Sequence, residues 1–314
     1  MARVVTIGAA QMGPIQRSET RGQAVERMLR LLREAHRRQC DLVVFPEAAL
    51  TAFFPHWYMA DDVEIDSYFE TSMPSNETEP LFAEARRLGI GFHLGYAELA
   101  PGAQGGKRRF NTAILVDKAG RIVSKYRKVH LPGRSGYRPE HPFQNLEKYY
   151  FQVGDLGFPV VRAFGGNVGM MICNDRRWPE CYRVMGLQSV ELIVLGYNTP
   201  VHNPGAPEHD SLGNFHNQLV MQAGAYQNGT YVVGVAKAGR EEGIDQLGQS
   251  SIIAPSGEIM AQSTTLGDEL VVAACDLDRC ASYKDTIFNF AAHRRPEAYR
   301  LIVERTAAIP PAAS

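Results

Sequence analysis

The sequence has no run of the roughly 20 consecutive apolar residues that a membrane-spanning helix requires. It also has no excess of charge of one sign, because 33 Lys and Arg residues balance 34 Asp and Glu residues and leave a net charge of −1. A surface that binds nucleic acid is usually basic, so this balance argues against a nucleic acid as partner. The first residues contain one arginine and a short apolar run, which is typical of a strand rather than a secretory signal. These absences predict a cytoplasmic protein without a membrane partner.

Cysteine is scarce, and the way it is placed excludes two kinds of site. The five cysteines, at positions 40, 173, 181, 275 and 280, form no CxxC pair. An odd number of cysteines without a secretory signal is typical of reduced thiols rather than of a disulfide framework. The nine histidines do not pair around a carboxylate as they do in the HExxH helix of zinc enzymes. We therefore expect free thiols and no bound metal.

Other widespread motifs are missing as well. No GxGxxG follows a strand, which argues against a nicotinamide site, and no GxSxG elbow of a serine hydrolase is present. The pair Gly106–Lys107 resembles the end of a phosphate-binding loop, but arginine follows it instead of Ser or Thr. The sequence thus offers no sign of an organic cofactor.

Strand-like apolar runs alternate with amphipathic helical stretches along the whole chain. This alternation predicts an α/β fold, and the hairpins expected at Arg109–Tyr126 and Ser250–Ala261 predict mixed sheets. No Pro-, Gly- or Ser-rich linker divides the 314 residues, so we expect a single domain over 1–314 with a C-terminal tail from about residue 280. Residues 131–156 lack periodicity and predict a long loop, which in a compact domain is usually functional. The other predicted strands are Val4–Ala10, Asp41–Phe45, Ile90–Glu98, Val160–Val161, Val168–Cys173, Glu191–Tyr197, Tyr231–Val235 and Leu270–Asp276, and the helices are a stretch after Ser18, Asn76–Leu88, Trp178–Leu187, Leu212–Asn228 and one in the tail.

Three chemically active side chains lie where predicted strands end. Glu47 follows the run Val-Val-Phe-Pro, Lys128 follows Ser-Lys-Tyr-Arg, and Cys173 follows Gly-Met-Met-Ile. In α/β proteins the ends of strands are where ligands bind and chemistry takes place. Each residue also has a purely structural interpretation, since cysteine is a common core residue, Glu47 could belong to a surface turn and Lys128 to a solvated face.

Together these three groups suit the hydrolysis of an amide. A thiolate is the nucleophile, and a nearby cation is expected to lower the thiol pKa below its free value of about 8.5. The ammonium can also stabilise the oxyanion of a tetrahedral intermediate, a contribution of about 3 kcal/mol for one donor. The carboxylate takes the thiol proton, gives it to the leaving amine and then activates water.

The strings that surround these residues resemble a known superfamily. Phe-Pro-Glu, Tyr-Arg-Lys-Val-His-Leu-Pro and Ile-Cys-Asn-Asp are similar to the Glu, Lys and Cys motifs of the nitrilase superfamily of carbon–nitrogen hydrolases. Within it, the chain resembles the family of N-carbamoyl-D-amino-acid amidohydrolases over essentially its whole length. The strings that carry this resemblance are RRFNTAILVDKAG, KYRKVHLPG, FQNLEKYYF, GDLGFPV, ICNDRRWPE, RVMGL, GYNTPVHNP and DLDRC.

The resemblance implies a fold, an assembly and a set of roles. It implies a four-layer α-β-β-α sandwich with two mixed sheets, a homodimer or homotetramer, and neither metal nor organic cofactor. Glu47 is then the general base, Lys128 the oxyanion partner, Cys173 the nucleophile, and Glu147 a second glutamate that orients the lysine. Residues matching those that bind the substrate are Asn174, Arg176, Arg177, Asn198, Thr199 and His130, the last together with His216 as a hydrogen-bonding support.

The expected activity is hydrolysis of an N-carbamoyl-D-amino acid to the D-amino acid, ammonia and carbon dioxide. Two adjacent guanidinium groups, Arg176 and Arg177, suit the bidentate binding of the substrate carboxylate. The alternatives are another amide hydrolase of the superfamily, such as a β-ureidopropionase or an aliphatic amidase, and a non-catalytic ligand-binding oligomer. The chain departs from the family pattern at Asn145, where histidine is expected, and along Gly133–His141. Side-chain preference therefore does not follow from the resemblance.

Overall fold

The protein is described here by a computed structural model that covers residues 2–311. Fourteen strands are found in that part of the chain. They are β1 (Val4–Gln11), β2 (Leu42–Val44), β3 (Gly91–Pro101), β4 (Lys107–Val116), β5 (Ile122–Arg127), β6 (Val160–Ala163), β7 (Gly166–Ile172), β8 (Leu192–Tyr197), β9 (Tyr231–Ala236), β10 (Ala238–Glu241), β11 (Ile244–Leu247), β12 (Ser251–Ile253), β13 (Ile259–Gln262) and β14 (Glu269–Asp276).

Nine α-helical segments, several of them a single turn, complete the described part of the fold. They are α1 (Arg21–Arg37), α2 (Asp62–Asp66), α3 (Glu79–Leu88), α4 (Glu147–Tyr150), α5 (Pro179–Gly186), α6 (Gly213–Asn228), α7 (Arg279–Lys284), α8 (Phe290–His293) and α9 (Arg300–Glu304). None of the helices within residues 2–311 is both long and apolar enough to cross a membrane.

Two six-stranded sheets of similar design form the centre of the molecule. The first has the order β14-β1-β2-β3-β4-β5 and the second the order β13-β12-β9-β8-β7-β6. In the first sheet β1, β2 and β3 run parallel, and in the second β7, β8 and β9 run parallel, while the flanking pairs are antiparallel. Both sheets are therefore mixed, as the sequence predicts. A separate hairpin, β10–β11, follows the second sheet.

Alternation along the strands shows why the sheets pack face to face. In β1, Ile7 and Ala9 belong to the core between the sheets, whereas Ala10 belongs to the core under the first helical layer. The same alternation separates Val44 from Val43 in β2. Because successive strand residues point to opposite faces, a strand that is apolar throughout is buried on both faces. Four layers follow: helices, two sheets and helices, which confirms the predicted α-β-β-α sandwich.

Helices α1 and α3 cover the first sheet, and α5 and α6 cover the second. Helix α1 begins at Arg21 because Thr20 caps it: the Thr20 hydroxyl accepts a hydrogen bond from the Gln23 backbone, and the Gln23 side chain accepts one from the Thr20 backbone. Its buried face, spaced every three to four residues, lies on the sheet. Helix α3 ends at Gly89, which takes the left-handed conformation (φ +64°).

The structure differs from the sequence-based prediction at a few element ends. The predicted strand Val168–Cys173 ends at Ile172, because Cys173 has a positive φ and begins a 3₁₀ turn. The loop predicted over 131–156 contains one helical turn, α4. The division into one domain with a tail from about residue 280 remains a prediction; residues 279–304 form three short helices, and Phe290 of α8 packs on the Arg183 guanidinium at 4.2 Å.

Candidate active site

The three candidate catalytic residues follow strands of both sheets. Glu47 comes after β2 and Lys128 after β5 of the first sheet, while Cys173 comes directly after β7 of the second. All three are buried, with exposed fractions of 0%, 1% and 6%. This burial excludes the surface turn and the solvated face that the sequence alone left open for Glu47 and Lys128. The site is therefore assembled where the two sheets meet.

Two glycines let the backbone of Glu47 lie between the sheets. A Cβ on Gly95 of β3 would lie 2.7 Å from the Glu47 Cα, and a Cβ on Gly196 of β8 would lie 2.1 Å from the Glu47 nitrogen. Real Cβ atoms do not approach other atoms so closely, so only glycine fits at either position. This close approach could not be predicted from the sequence, because both glycines lie inside strands.

The Glu47 carboxylate is fixed by hydrogen bonds from three residues. Its Oε1 accepts from the Asn111 side chain at 2.8 Å and from the Lys128 ammonium at 2.7 Å. Its Oε2 accepts from the Asn198 backbone nitrogen at 2.9 Å. The Asn198 side chain also donates to the Glu47 carbonyl at 2.8 Å. Asn198, predicted as a substrate contact, thus also holds the candidate base, and Asn111 is a supporting residue that the sequence analysis missed.

Lys128 lies between two carboxylates. Its ammonium donates to Glu47 at 2.7 Å and to Glu147 at 2.6 Å. Burial alone would lower the lysine pKa, but Cys173 in its thiolate form, Glu147 and Glu47 outweigh that effect and raise the pKa well above its ordinary value. The ammonium therefore stays charged, as an electrostatic partner of an oxyanion must.

Glu147 opens the single turn α4 inside the long loop and is 2% exposed. Burial raises its pKa to about 8; Lys128 acts in the opposite direction and Glu47 in the same direction. Two carboxylates around one ammonium carry a net negative charge when both are ionised, and this charge is costly in a buried site. The geometry agrees with the orienting role that the resemblance implies for Glu147, which remains a prediction.

Cys173 is held in a conformation that non-glycine residues seldom adopt. Its φ is +46°, in the left-handed region, and its thiol donates to the Asn198 carbonyl at 3.5 Å. Burial raises the thiol pKa above its ordinary value and Glu47 adds to this, whereas Lys128 and Arg176 act in the opposite direction. The expectation of a lowered thiol pKa is therefore wrong, because desolvation and the Glu47 charge outweigh the cations. The thiol is protonated at rest and needs a base.

A cavity of about 370 Å³ opens onto the nucleophile. Among the predicted site residues, Glu147, Cys173, Asn174, Arg177, Asn198 and Thr199 line it. The loop segment 132–147 supplies much of the remaining wall, and residues 200–205 supply the opposite wall. Glu47 and Lys128 lie behind this lining, in contact with Asn198 and Glu147.

Arg177 and Asn174 both line this cavity. The Arg177 guanidinium makes no hydrogen bond or ion pair within residues 2–311. Burial of the charged group and the nearby Arg176 lower its pKa, although part of the side chain is exposed. An anion in the cavity would relieve this unfavourable environment. The Asn174 side chain donates to the His130 carbonyl at 3.2 Å, which fixes it beside the nucleophile.

Arg176 is placed differently from the sequence-based expectation. It is 1% exposed and does not line the cavity. Its guanidinium donates to the Cys173 carbonyl at 2.7 Å, the Thr199 hydroxyl at 3.0 Å and the Asn217 side chain at 3.0 Å. With its donors used in this way, Arg176 supports the turn that carries Cys173 and is not available to a carboxylate in the cavity.

His130 also lies outside the cavity lining. Its ring stacks on Trp178 with centroids 5.1 Å apart, and its Nδ1 lies 2.9 Å from the Asp175 carboxylate. Asp175, which the sequence analysis did not single out, is fully buried and also accepts from the Tyr126 hydroxyl and the Ile172 backbone nitrogen. The position of Asp175, two residues after the nucleophile in a tight turn, is the signal that could have indicated this role.

One cluster contains the residue types that bind metals. His130, Asp175 and Cys181 place their ligand atoms within 4.8 Å of one another. Both Asp175 oxygens already accept hydrogen bonds from the protein, which explains why these groups converge. The expected absence of a metal and of a cofactor remains a prediction.

Comparison with known proteins places the chain in one family. Residues 6–285 match the carbon–nitrogen hydrolase family. The N-carbamoylputrescine amidase of Oryza sativa subsp. japonica is 28% identical over 298 residues, which cover 91% of each protein. The citrullinase of Francisella tularensis subsp. tularensis is 32% identical over 205 residues, or 64% of this chain and 67% of that protein.

Solved structures agree on the fold. The carbon–nitrogen hydrolase from Helicobacter pylori G27 superposes with a TM-score of 0.81 at 23% identity, over 97% of this chain and 99% of the other. The resemblance to the superfamily is thereby confirmed, whereas the narrower resemblance to N-carbamoyl-D-amino-acid amidohydrolases is not tested by relatives of this kind. With the match over residues 6–285, a nitrilase-type fold and a buried cysteine beside a Glu–Lys pair, the chain belongs to the carbon–nitrogen hydrolases of the nitrilase superfamily.

Proposed function

We propose that this hydrolase converts N-carbamoyl-D-amino acids to D-amino acids, ammonia and carbon dioxide. The observation that carries the proposal is the free Arg177 guanidinium on the wall of the cavity that contains Cys173. An N-carbamoyl amino acid has a carboxylate near its ureido group, and a guanidinium binds carboxylate through charge-assisted hydrogen bonds. The D configuration in the proposal rests on the resemblance of the sequence strings, since no contact in the cavity distinguishes the two hands.

In the first step the Cys173 sulfur attacks the ureido carbon while the thiol proton passes to Glu47. Both side chains bond the backbone of Asn198, the thiol at its carbonyl oxygen and the Glu47 carboxylate at its nitrogen, which supports a transfer between neighbouring groups. A protonated thiol needs such a base at the moment of attack. The Lys128 ammonium stabilises the oxyanion that forms from the carbonyl oxygen.

In the second step the tetrahedral intermediate collapses, the C–N bond breaks, and Glu47 returns its proton to the leaving nitrogen. Water then attacks the carbon of the Cys173 thioester-type intermediate, with Glu47 accepting a water proton. The thiol is regenerated when the C–S bond breaks and Glu47 gives the proton back to the sulfur. The carbamic acid released in this step then loses carbon dioxide, which breaks the second C–N bond and frees the second amine. Ammonia and the amino acid can leave in either order in this scheme, since both nitrogens flank the same carbon.

The main competing function is hydrolysis of N-carbamoylputrescine, which the names of several relatives suggest. That substrate carries an ammonium group instead of a carboxylate. An unpaired guanidinium on the cavity wall repels such a cation, which favours a carboxylate substrate here. A β-ureidopropionase shares the carboxylate and an aliphatic amidase lacks it, so the substrate panel must include all three types.

Release of ammonia from a matched panel tests the proposal. The panel contains the N-carbamoyl derivatives of D-phenylalanine, L-phenylalanine, β-alanine and putrescine, together with a simple aliphatic amide. The proposal expects kcat/KM for the D-phenylalanine derivative to exceed every other value. A higher value for the putrescine derivative would replace it by the function of the relatives. Absence of turnover on all five, with no labelling of Cys173 by iodoacetamide, would favour a non-catalytic binding protein.

The proposal also includes a cytoplasmic homodimer or homotetramer. All five cysteines are free thiols, as in proteins of reducing compartments. The outer surface of α5 and α6 exposes large apolar side chains, among them Leu187 at 47% and Leu219 at 46%. Such side chains suit association through the outer helical layer. Sedimentation equilibrium decides this part, and a monomeric protein at micromolar concentration would contradict it.

A further inference from the structure

The cavity that contains the nucleophile has a positive lining, although the whole chain has a net charge of −1. Three arginines line it: Arg134, Arg138 and Arg177. The one carboxylate in the lining is Glu147, which is buried and paired with Lys128. If one substrate carboxylate binds Arg177, it leaves the positive charges of Arg134 and Arg138 in the lining without a partner from the substrate.

Of the two arginines in the loop segment 132–147, Arg134 has fewer anionic neighbours than Arg138. Arg138 lies 3.8 Å from the Glu140 carboxylate, whereas the Arg134 guanidinium has no hydrogen bond or ion pair within residues 2–311. Its Nη2 lies 4.0 Å from the position that a Cβ on Gly205 would take. The exposed Arg134 side chain therefore reaches from the loop segment 132–147 to the segment 200–205, both of which line the cavity.

The backbone at Arg134 is held by a hydrogen bond and by close packing against the backbone of Asn145. Its nitrogen donates to the Asn145 carbonyl at 2.8 Å. The preceding Gly133 has a φ of +75°, and a Cβ there would lie 2.2 Å from the Asn145 carbonyl oxygen. Only glycine allows the two loop strands to approach so closely. These contacts fix the backbone position from which the Arg134 side chain extends along the cavity lining.

We propose that Arg134 binds a second anionic group of the substrate, so that the preferred substrates are N-carbamoyl derivatives of amino acids with an acidic side chain. This inference rests on the proposed function, in which Arg177 receives the α-carboxylate. A guanidinium in the cavity lining repels a cationic side chain and has little effect on the binding of an apolar one. It binds a second carboxylate by charge-assisted hydrogen bonds. Arg134 acts as a specificity-determining residue and takes no part in the chemical step.

The test compares two isosteric substrates on the full-length protein. N-carbamoyl-D-glutamate and N-carbamoyl-D-glutamine differ in one terminal group, which is charged in the first and neutral in the second. We expect the wild type to have a kcat/KM at least about tenfold higher for the glutamate derivative, a preference that falls as salt screens the charges. Arg134→Gln should remove this preference and leave kcat/KM for the glutamine derivative within about twofold to threefold of its original value. Arg138→Gln is the matched control, because it removes the same charge from the same loop and should preserve most of the preference.

Binding separates failure of this inference from failure of the proposed function. The affinities of the Cys173→Ala variant for both derivatives are measured by calorimetry, with and without Arg134→Gln. If the wild type hydrolyses both derivatives equally, the second anion site is wrong and the proposed function stands. If the wild type hydrolyses neither, yet Cys173→Ala binds the glutamate derivative more tightly in an Arg134-dependent way, the anion site stands and the proposed reaction is wrong. Equal losses for both derivatives in Arg134→Gln would make this arginine structural and overturn the inference.

Discussion

The Lys128 ammonium lies 2.6 Å from the Glu147 carboxylate, and both side chains are buried. We propose that Glu147 sets where the lysine charge is held relative to Glu47, which takes a second bond from the same ammonium. The loop between Lys128 and Glu147 lines the cavity and would thereby also position a charge that the proposed chemistry uses.

Glu147→Gln should lower kcat at least about tenfold, or about 1.4 kcal/mol of transition-state stabilisation. The amide keeps the shape of the side chain but cannot ionise, so it weakens the contact with the Lys128 ammonium. Steady-state ammonia release measures the effect, and circular dichroism checks the fold. The control is Glu140→Gln in the same loop, where the carboxylate is exposed and 3.8 Å from Arg138. Wild-type turnover in Glu147→Gln would mean that Lys128 is oriented by Glu47 alone.

Cys173→Ala should abolish turnover and leave the fold intact, because the lost thiol makes only two weak hydrogen bonds, to the Asn198 carbonyl at 3.5 Å and from the Arg176 guanidinium at 3.7 Å. Cys173→Ser should be nearly as inactive, since a hydroxyl is a much poorer nucleophile than sulfur at this position. Cys40→Ala is the matched control: it removes another buried thiol and should affect stability only. More than about a tenth of wild-type activity in Cys173→Ala, a loss of only ~1.4 kcal/mol, would exclude this nucleophile.

The two adjacent arginines should respond differently to replacement. Arg177→Gln should weaken transition-state binding of an N-carbamoyl amino acid by about 1.5–3 kcal/mol and hardly affect its uncharged carboxamide analogue. Arg176→Gln should reduce kcat/KM for both substrates alike, because Arg176 bonds the Cys173 carbonyl and the Thr199 hydroxyl and does not line the cavity. The ratio of kcat/KM for the two substrates decides between these roles. A selective loss in Arg176→Gln would mean that this side chain leaves its buried position when substrate binds.

Gly196→Ala should destabilise the protein by about 1–3 kcal/mol, because the added methyl group has no room. It would lie 2.1 Å from the Glu47 nitrogen, so the Glu47 segment must move and kcat should fall as well. Denaturant titration and ammonia release are measured together. Gly267→Ala is the control, since a Cβ at that position meets no atom within 4 Å. If Gly196→Ala keeps full activity and stability, the sheets are not in fixed contact at Glu47.

His93 should make the folded state sensitive to acid. Burial lowers its pKa from 6.5 to about 4, despite a hydrogen bond to the Phe45 carbonyl that acts in the opposite direction. The unfolded chain takes up a proton near pH 6.5 and the folded chain only near pH 4, so the contribution of His93 to stability is present above pH 6.5 and is lost as the pH falls toward 4.

His93→Gln should accordingly show a smaller loss of unfolding free energy between pH 7 and pH 4.5 than the wild type. His216→Gln, which changes an exposed histidine, should match the wild type. Denaturant titrations at the two pH values supply the comparison. An identical pH dependence in His93→Gln and the wild type would show that His93 has the same pKa in both states.

Much of the fold could be predicted because its signals are local. Continuous apolar runs identify β1 and β8, and the spacing of Val25, Met28 and Leu32 identifies the buried face of α1. The sequence analysis does not predict the hairpin β10–β11, since its two strands are short and show no clear alternation of polar and apolar residues. Helix α2 is a short, largely acidic segment, which is too short to show a helical period.

The candidate site could be predicted in part for a similar reason. Glu47, Lys128 and Cys173 lie within distinctive strings at strand ends, so their positions along the chain are informative. The contacts that hold them are not local: Asn111, Gly95 and Gly196 reach Glu47 from other strands. The sequence analysis assigns both Arg176 and Arg177 to the substrate, whereas only Arg177 lines the cavity. Their different positions could not be predicted, because adjacent residues in a 3₁₀ turn point in different directions.

The contribution of both sheets to one site has a consequence for how the enzyme responds to changes far from its cavity. Glu47 belongs to one sheet and Cys173 to the other, and both are tied to Asn198. The separation of the two sheets is set by side chains such as Ile7 and Val44 in the core between them. We expect the volume of these apolar residues to set the distance between the proposed base and the proposed nucleophile. The rate of the proposed reaction should then report the spacing of the sheets, so that removing one methylene group from this core would also change the alignment of a proton transfer.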